Sequence, residues 1–111
     1  MKRGEIYFAN LNPTVGSEIK KIRPVLIVSN DANNNMATTV TIIPITSNIK
    51  KVYPFEVLLQ NKNSGLTKES KAQCHQIRTI SKIRIRGKRL GILNPEGMQK
   101  IKCATQLHLD F

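Results

Sequence analysis

Three short segments of this 111-residue chain hold side chains whose types and spacing could do chemistry. The first is Gly16-Ser17-Glu18-Ile19-Lys20-Lys21-Ile22-Arg23-Pro24, a small, charged loop that feeds an apolar strand, with Arg23 at the junction. A guanidinium offers a planar fork of donors that can hold two phosphate oxygens at once. A residue at the root of a strand is held by a rigid element, while the loop before it can close over a ligand. The second segment is Ile45-Thr46-Ser47-Asn48, where small hydrogen-bonding side chains end a strand-like run and Thr46 could donate to a phosphate oxygen. The third is Gln76-Ile77-Arg78-Thr79. Strand alternation puts Gln76 and Arg78 on one face, an amide able to read a base edge beside a phosphate-binding fork. Each segment also has an ordinary structural role. Arg23 and the lysines can be a solvated strand end and loop, Thr46 a turn residue bonding backbone, and Gln76 with Arg78 a polar outer face.

The elements that must position these segments read mostly as strands bounded by turn chemistry. Glu5–Leu11 is a strand that stops at Asn12-Pro13, and Pro24–Asn30 is apolar nearly throughout, as a strand buried on both faces should be. Asp31–Asn35 reads as a loop, and Thr38–Thr46 as a β-branched strand in which Pro44 argues for an edge or a bulge. Phe55–Leu59, Lys71–Ile80 and Ile83–Ile92 are further strands, with a turn over Gln60–Gly65. Only the end looks helical. Asn94-Pro95-Glu96 supplies a cap, a proline at the first helical position and an acid in the first turn. Met98, Ile101, Ala104, Thr105 and His108 follow at helical spacing. The expectation is one domain over 1–111, mainly β with a C-terminal helix: a compact, strongly bent β-barrel over about 3–92 and the helix over about 95–108.

Composition narrows the partners. Eighteen Lys and Arg against seven Asp and Glu give a net charge of +11, which attracts polyanions by releasing the counterions condensed on phosphates. With no Trp and only five Phe or Tyr, base stacking on aromatic platforms is not expected to be the main device. Two histidines, His75 and His108, and two distant cysteines, Cys74 and Cys103, make no recognisable metal pattern, so no metal and no cofactor are expected. The cysteines are expected reduced and mostly buried. No apolar run reaches a membrane span, and no signal-peptide core precedes the first strand; no membrane partner and a cytoplasmic location are expected.

Taken together, three segments resemble the MazF/PemK (Kid) family of ribonuclease toxins. They are Arg3-Gly4-Glu5-Ile6-Tyr7-Phe8 with Asn12-Pro13-Thr14-Val15-Gly16-Ser17-Glu18; Arg23-Pro24-Val25-Leu26-Ile27-Val28-Ser29-Asn30; and Gln76-Ile77-Arg78-Thr79-Ile80. Each string alone is weak, and the ordered set is specific. The resemblance implies an SH3-like barrel, a homodimer, a silencing antitoxin, and metal-free cleavage of single-stranded RNA at short sequences. It implies Arg23 and Thr46 as the catalytic pair, with Glu18 at an acidic position proposed to act in some relatives. Gln76 and Arg78 match a strand associated with RNA contacts, and Ser17, Lys20, Lys21 and Ser47 flank the catalytic positions as further RNA-binding candidates. Lys71-Ala72-Gln73-Cys74-His75 departs from the more apolar, acid-terminated run of many relatives.

Cleavage of this type uses the 2′-hydroxyl as nucleophile and leaves a 2′,3′-cyclic phosphate and a 5′-hydroxyl. Arg23 suits stabilisation of the phosphorane, but a guanidinium stays protonated and is a poor base. Glu18 is the better acceptor of the 2′ proton. His75 is the other candidate, and strand alternation sets it on the face opposite Gln76 and Arg78. Two competing readings stand beside this one. The gyrase-poisoning toxins share the fold and act by binding without cleavage, and a basic module could hold nucleic acid without turnover.

Overall fold

The computed structural model describes residues 1–13, 15–18 and 21–111. Its first apolar runs form strands β1 (Glu5–Asn10), β2 (Ile22–Ile27) and β3 (Thr39–Thr46). Val25, Leu26 and Ile27 are all fully buried, so β2 is covered on both faces, as its unbroken apolar run requires. With β4 (Glu56–Leu59), β5 (Ser70–Gln73), β6 (Arg78–Ser81) and β7 (Ile85–Ile92), they make one seven-stranded antiparallel sheet in the order β4-β5-β3-β2-β1-β7. β6 lies off that path and pairs with the first half of β3.

Among the described residues no ladder joins the end strands β4 and β7, so the sheet is open where a closed barrel was expected. At β7 the short helix α2 (Asn61–Ser64) packs in place of a strand. Its left-handed cap Gly65 (φ 78°) sits so close that a Cβ on Gly91 of β7 would lie 3.2 Å from the Gly65 Cα and collide with the Ser64 carbonyl. The turn expected over Gln60–Gly65 is thus a helical turn and its cap.

Pro44 lies neither on an edge strand nor in a bulge; it pairs in register with Val25 of β2. The reason is a change of partner on its other side. β3 pairs with β6 as far as Ile42 and with β5 from Ile45. The Thr41 carbonyl accepts from the Val28 N–H, so the backbone of odd-numbered residues faces β2 and that of Pro44 faces away. Its missing N–H therefore falls in the gap between β6 and β5 and costs no ladder bond.

Two more segments differ from the sequence expectation. Asp31–Met36 is a helix, α1, because Asn30 accepts the Asn33 N–H at 2.8 Å; the same side-chain chemistry that marks loops here caps a helix. Residues 74–76 form a 3₁₀ turn that divides the expected Lys71–Ile80 strand into β5 and β6.

The C-terminal helix α3 (Pro95–Leu109) begins where its signals placed it, with Asn94 accepting the Gly97 N–H at 2.8 Å. Ile101 and Ala104 enter the larger core cluster beside Ile6, Leu26 and Ile43. Asn94→Ala removes this cap and should cost about 1 kcal/mol, read as a Tm lowered by several degrees; an unchanged Tm would show that the cap carries no stability. Cys74 is buried, and burial pushes its thiol up to about 11. Cys103, expected mostly buried, is exposed because it falls on the outer face of α3. Among the described residues no helix is long and apolar enough to cross a membrane.

Candidate active site

The β2–β3 register brings the first two candidate segments together. Val25 pairs with Pro44, and continuing that register toward the start of β2 sets Arg23 opposite Thr46, on one face of the sheet. Both line an open groove of roughly 560 Å³, together with Ser47. Thr46 Oγ1 accepts the Asn48 N–H at 3.2 Å, the backbone turn role expected of it. Its own hydroxyl proton is not used in that bond and can be donated into the groove.

The facing wall comes from the connection between α2 and β5, through Leu66, Thr67 and Lys68. Lys68 is a cation that the sequence reading did not select, because Thr67-Lys68-Glu69 carries no periodic signal and only the close approach of α2 to β7 puts it there. Phe8 and Pro24 form part of the floor and pair directly across β1 and β2, with Arg86 of β7 next in the same row. Phe8 could have been found, since it is a large apolar side chain exposed on the strand. No acidic side chain and no histidine lines the groove among the described residues. The groove can therefore bind and stabilise an anion, and a proton acceptor has to come from beside it.

Glu18, the expected acceptor, lies on the β1–β2 loop and is exposed; its Oε1 accepts the Val15 N–H at 2.6 Å. Ser17 and Lys21 are exposed on the same loop, and Lys20 lies outside the described residues. The Lys21 backbone is left-handed (φ 75°) and its N–H donates to Asn12 Oδ1 at 3.1 Å. The base of the loop is clamped by Arg84, whose Nη1 donates to the carbonyls of Asn10, at 3.0 Å, and of Asn12. Arg84 is a second residue that sequence reasoning missed, for it acts across more than seventy residues of chain.

Gln76 and Arg78 do not line the groove. They also do not share a strand, because Gln76 ends the 3₁₀ turn while Arg78 opens β6 opposite Ile42. The alternation argument that set His75 on the opposite face fails for the same reason. His75 packs edge-on against Phe55, with centroids 4.5 Å apart, and lies 6.2 Å from the His108 ring. Burial lowers its pKa below the ordinary imidazole value; Glu56 opposes this, and His108 and Lys71 add to it.

A histidine whose folded pKa is depressed binds its proton more readily when unfolded, so stability should fall as pH drops from the ordinary imidazole value through the folded one. Chemical denaturation of wild type and His75→Gln between about pH 7.5 and 5 checks this. The wild type should lose stability across that window and the variant should lose less; parallel curves would remove His75 as the cause.

Fold and groove together define a small basic β protein with an open groove lined by the cations Arg23 and Lys68 and by the hydroxyls of Thr46, Ser47 and Thr67. The chain belongs to the family of PemK-like, MazF-like toxins of type II toxin–antitoxin systems, which it matches over residues 2–109. It is 43% identical over 116 residues to Endoribonuclease MazF9 of Mycobacterium tuberculosis, covering 100% of this chain and 98% of that protein. To Endoribonuclease EndoA of Bacillus subtilis it is 40% identical over 110 residues, covering 98% and 94%. Among solved structures, it superposes with a TM-score of 0.82 on an endoribonuclease in complex with its cognate antitoxin from a Mycobacterial species, at 27% identity over 100% of this chain and 96% of that one.

Proposed function

We propose that this chain is the toxin of a type II toxin–antitoxin pair and cuts single-stranded RNA at specific sequences without a metal or other cofactor. Family membership and the two relatives named as endoribonucleases support the activity. The cross-strand meeting of Arg23 and Thr46 in the groove is the observation that carries the mechanism.

The scissile phosphate sits at Arg23, whose fork holds the two non-bridging oxygens, while the Thr46 hydroxyl donates to one of them. Both contacts strengthen as charge builds on the phosphorane, so they favour the transition state over the bound substrate. The 2′-hydroxyl attacks the phosphorus, its proton passes to the Glu18 carboxylate, and the bond to the 5′-oxygen breaks, that oxygen taking a proton from water to leave as a hydroxyl. The products are a 2′,3′-cyclic phosphate and a 5′-hydroxyl. Ser17, Lys20, Lys21 and Ser47 hold phosphates near the cut, and Gln76 with Arg78 contacts the RNA further along. The protein works as a cytoplasmic homodimer of a single 1–111 domain, its sheet curled as an SH3-like barrel, and is silenced by an antitoxin that competes for the groove. An acidic or apolar tail suits a groove with two cations and apolar walls.

Replacing the ribose 5′ to the cut by 2′-deoxyribose tests the nucleophile. The RNA should still bind but stay intact, and cleavage of the deoxy substrate would rule the mechanism out. Glu18→Gln should slow cleavage about a hundredfold with RNA binding little changed, measured in single turnover; a wild-type rate would assign the proton to another group.

A further inference from the structure

The wall that faces Arg23 and Thr46 carries a cation of its own, Lys68, on a backbone that is tied down along its length. Residues 65–69 join α2 to β5. At their start Gly65 packs closely against Gly91 of β7, and the Leu66 N–H donates to Ser64 Oγ at 3.2 Å. Asn61 Nδ2 then donates to the Thr67 carbonyl at 2.9 Å, and Ser70 Oγ to the Lys68 carbonyl at 3.1 Å. Ser70 is itself paired with Leu59 in the β4–β5 ladder. Two consecutive carbonyls are thus held by side chains, while Thr67 and Lys68 stay exposed and line the groove. Among the described residues the Lys68 ammonium makes no ion pair and no hydrogen bond.

Charge sets the kind of ligand. Cations on opposite walls of a groove that no described carboxylate lines raise the local potential for anions. A single-stranded RNA carries one negative charge per nucleotide, so a strand lying in the groove brings a second phosphate with the scissile one. The rigid fork of Arg23 suits the phosphate whose geometry changes in the reaction. A compact ammonium on a flexible stem suits one that only has to be held. Thr67 adds a hydroxyl donor on the same wall.

We propose that Lys68, with the Thr67 hydroxyl beside it, binds the phosphodiester next to the scissile one and so sets the register of the RNA strand in the groove. This rests on the nuclease reading of that groove. The ligand is a backbone phosphate of the single-stranded substrate, recognised by its charge whatever base it carries. Lys68 does not touch the reacting atoms; it is a positioning residue.

The test uses a short RNA holding one mapped cut and made uncleavable by 2′-deoxyribose there. Either neighbouring phosphate is replaced in turn by an uncharged methylphosphonate. On the unmodified strand, Lys68→Gln should keep the wild-type Tm and bind about tenfold more weakly. It should also lower the slope of log Kd against log salt by about 0.7, the share of one phosphate contact on a single strand. Methylphosphonate at one of the two positions should weaken wild type by a similar factor and Lys68→Gln far less, because charge and partner are lost together. Lys68→Arg should restore both the affinity and the sensitivity to that methylphosphonate. Lys68→Gln binding like wild type, or remaining as sensitive as wild type at both positions, overturns the proposal. Cleavage of ordinary RNA by wild type is read alongside. Intact RNA would displace the nuclease reading, whereas preserved cleavage without the coupling removes the phosphate site alone.

Discussion

Arg23→Ala should leave a folded protein that cleaves RNA at least a hundredfold more slowly than wild type, a loss of about 3 kcal/mol or more. The magnitude follows from the kind of contact removed. Arg23 is partly buried at the root of β2, between β1, where it pairs with Ala9, and the end of β3. Its backbone is fixed in the sheet before substrate arrives, so in the proposed mechanism the charge it would offer the phosphorane would need little rearrangement. Lys68 on the opposite wall adds positive charge, but a point charge on a flexible stem does not replace a bidentate fork. Arg23→Lys should therefore recover RNA binding better than rate. Single-turnover cleavage with saturating enzyme separates the two effects. A variant with wild-type rate and weakened binding would make Arg23 a ground-state contact only.

Gly91→Ala should be the most damaging single methyl group in the groove region. The added Cβ would overlap the Ser64 carbonyl oxygen and crowd the Gly65 Cα at 3.2 Å. These atoms are backbone on both sides, so no side chain can rotate away. Either α2 lifts from β7 or the strand bends, at a cost of about 3 kcal/mol, the upper part of the range for overpacking. For a chain of this size, that corresponds to a Tm lowered by roughly 10 °C. Because α2 leads directly into Leu66, Thr67 and Lys68, the same shift should widen the groove and raise KM for RNA. A variant with unchanged Tm and KM would mean that α2 moves freely and that the wall is not anchored by this contact.

The sequence made legible what depends on local pattern. β2 and α3 announce themselves through an unbroken apolar run and through Asn94-Pro95; α3 lies where expected, while β2 runs Ile22–Ile27 rather than Pro24–Asn30, because Asn30 caps the helix that follows. Arg23 and Thr46 were each ambiguous alone, and what joins them is the antiparallel register of β2 and β3, a long-range property that no window of sequence contains. The same limit hid Lys68, which reaches the groove only because two glycines let α2 approach β7. It also hid the open sheet, since strand spacing does not reveal whether the last edge finds a partner. The expectation for Gln76 and His75 failed for a local reason: alternation assumes a continuous strand, and the 3₁₀ turn at 74–76 breaks the period.

The groove of Arg23 and Thr46 should cleave RNA through the 2′-hydroxyl with protein groups alone. The most direct measurement incubates purified, antitoxin-free protein with mixed-sequence single-stranded RNA in excess EDTA and reads fragment ends by mass spectrometry. Discrete fragments ending in 2′,3′-cyclic phosphate and beginning with 5′-hydroxyl, absent with Arg23→Ala, are the predicted result. RNA left intact by the folded protein in both EDTA and magnesium would contradict the account and favour a toxin that acts by binding its target.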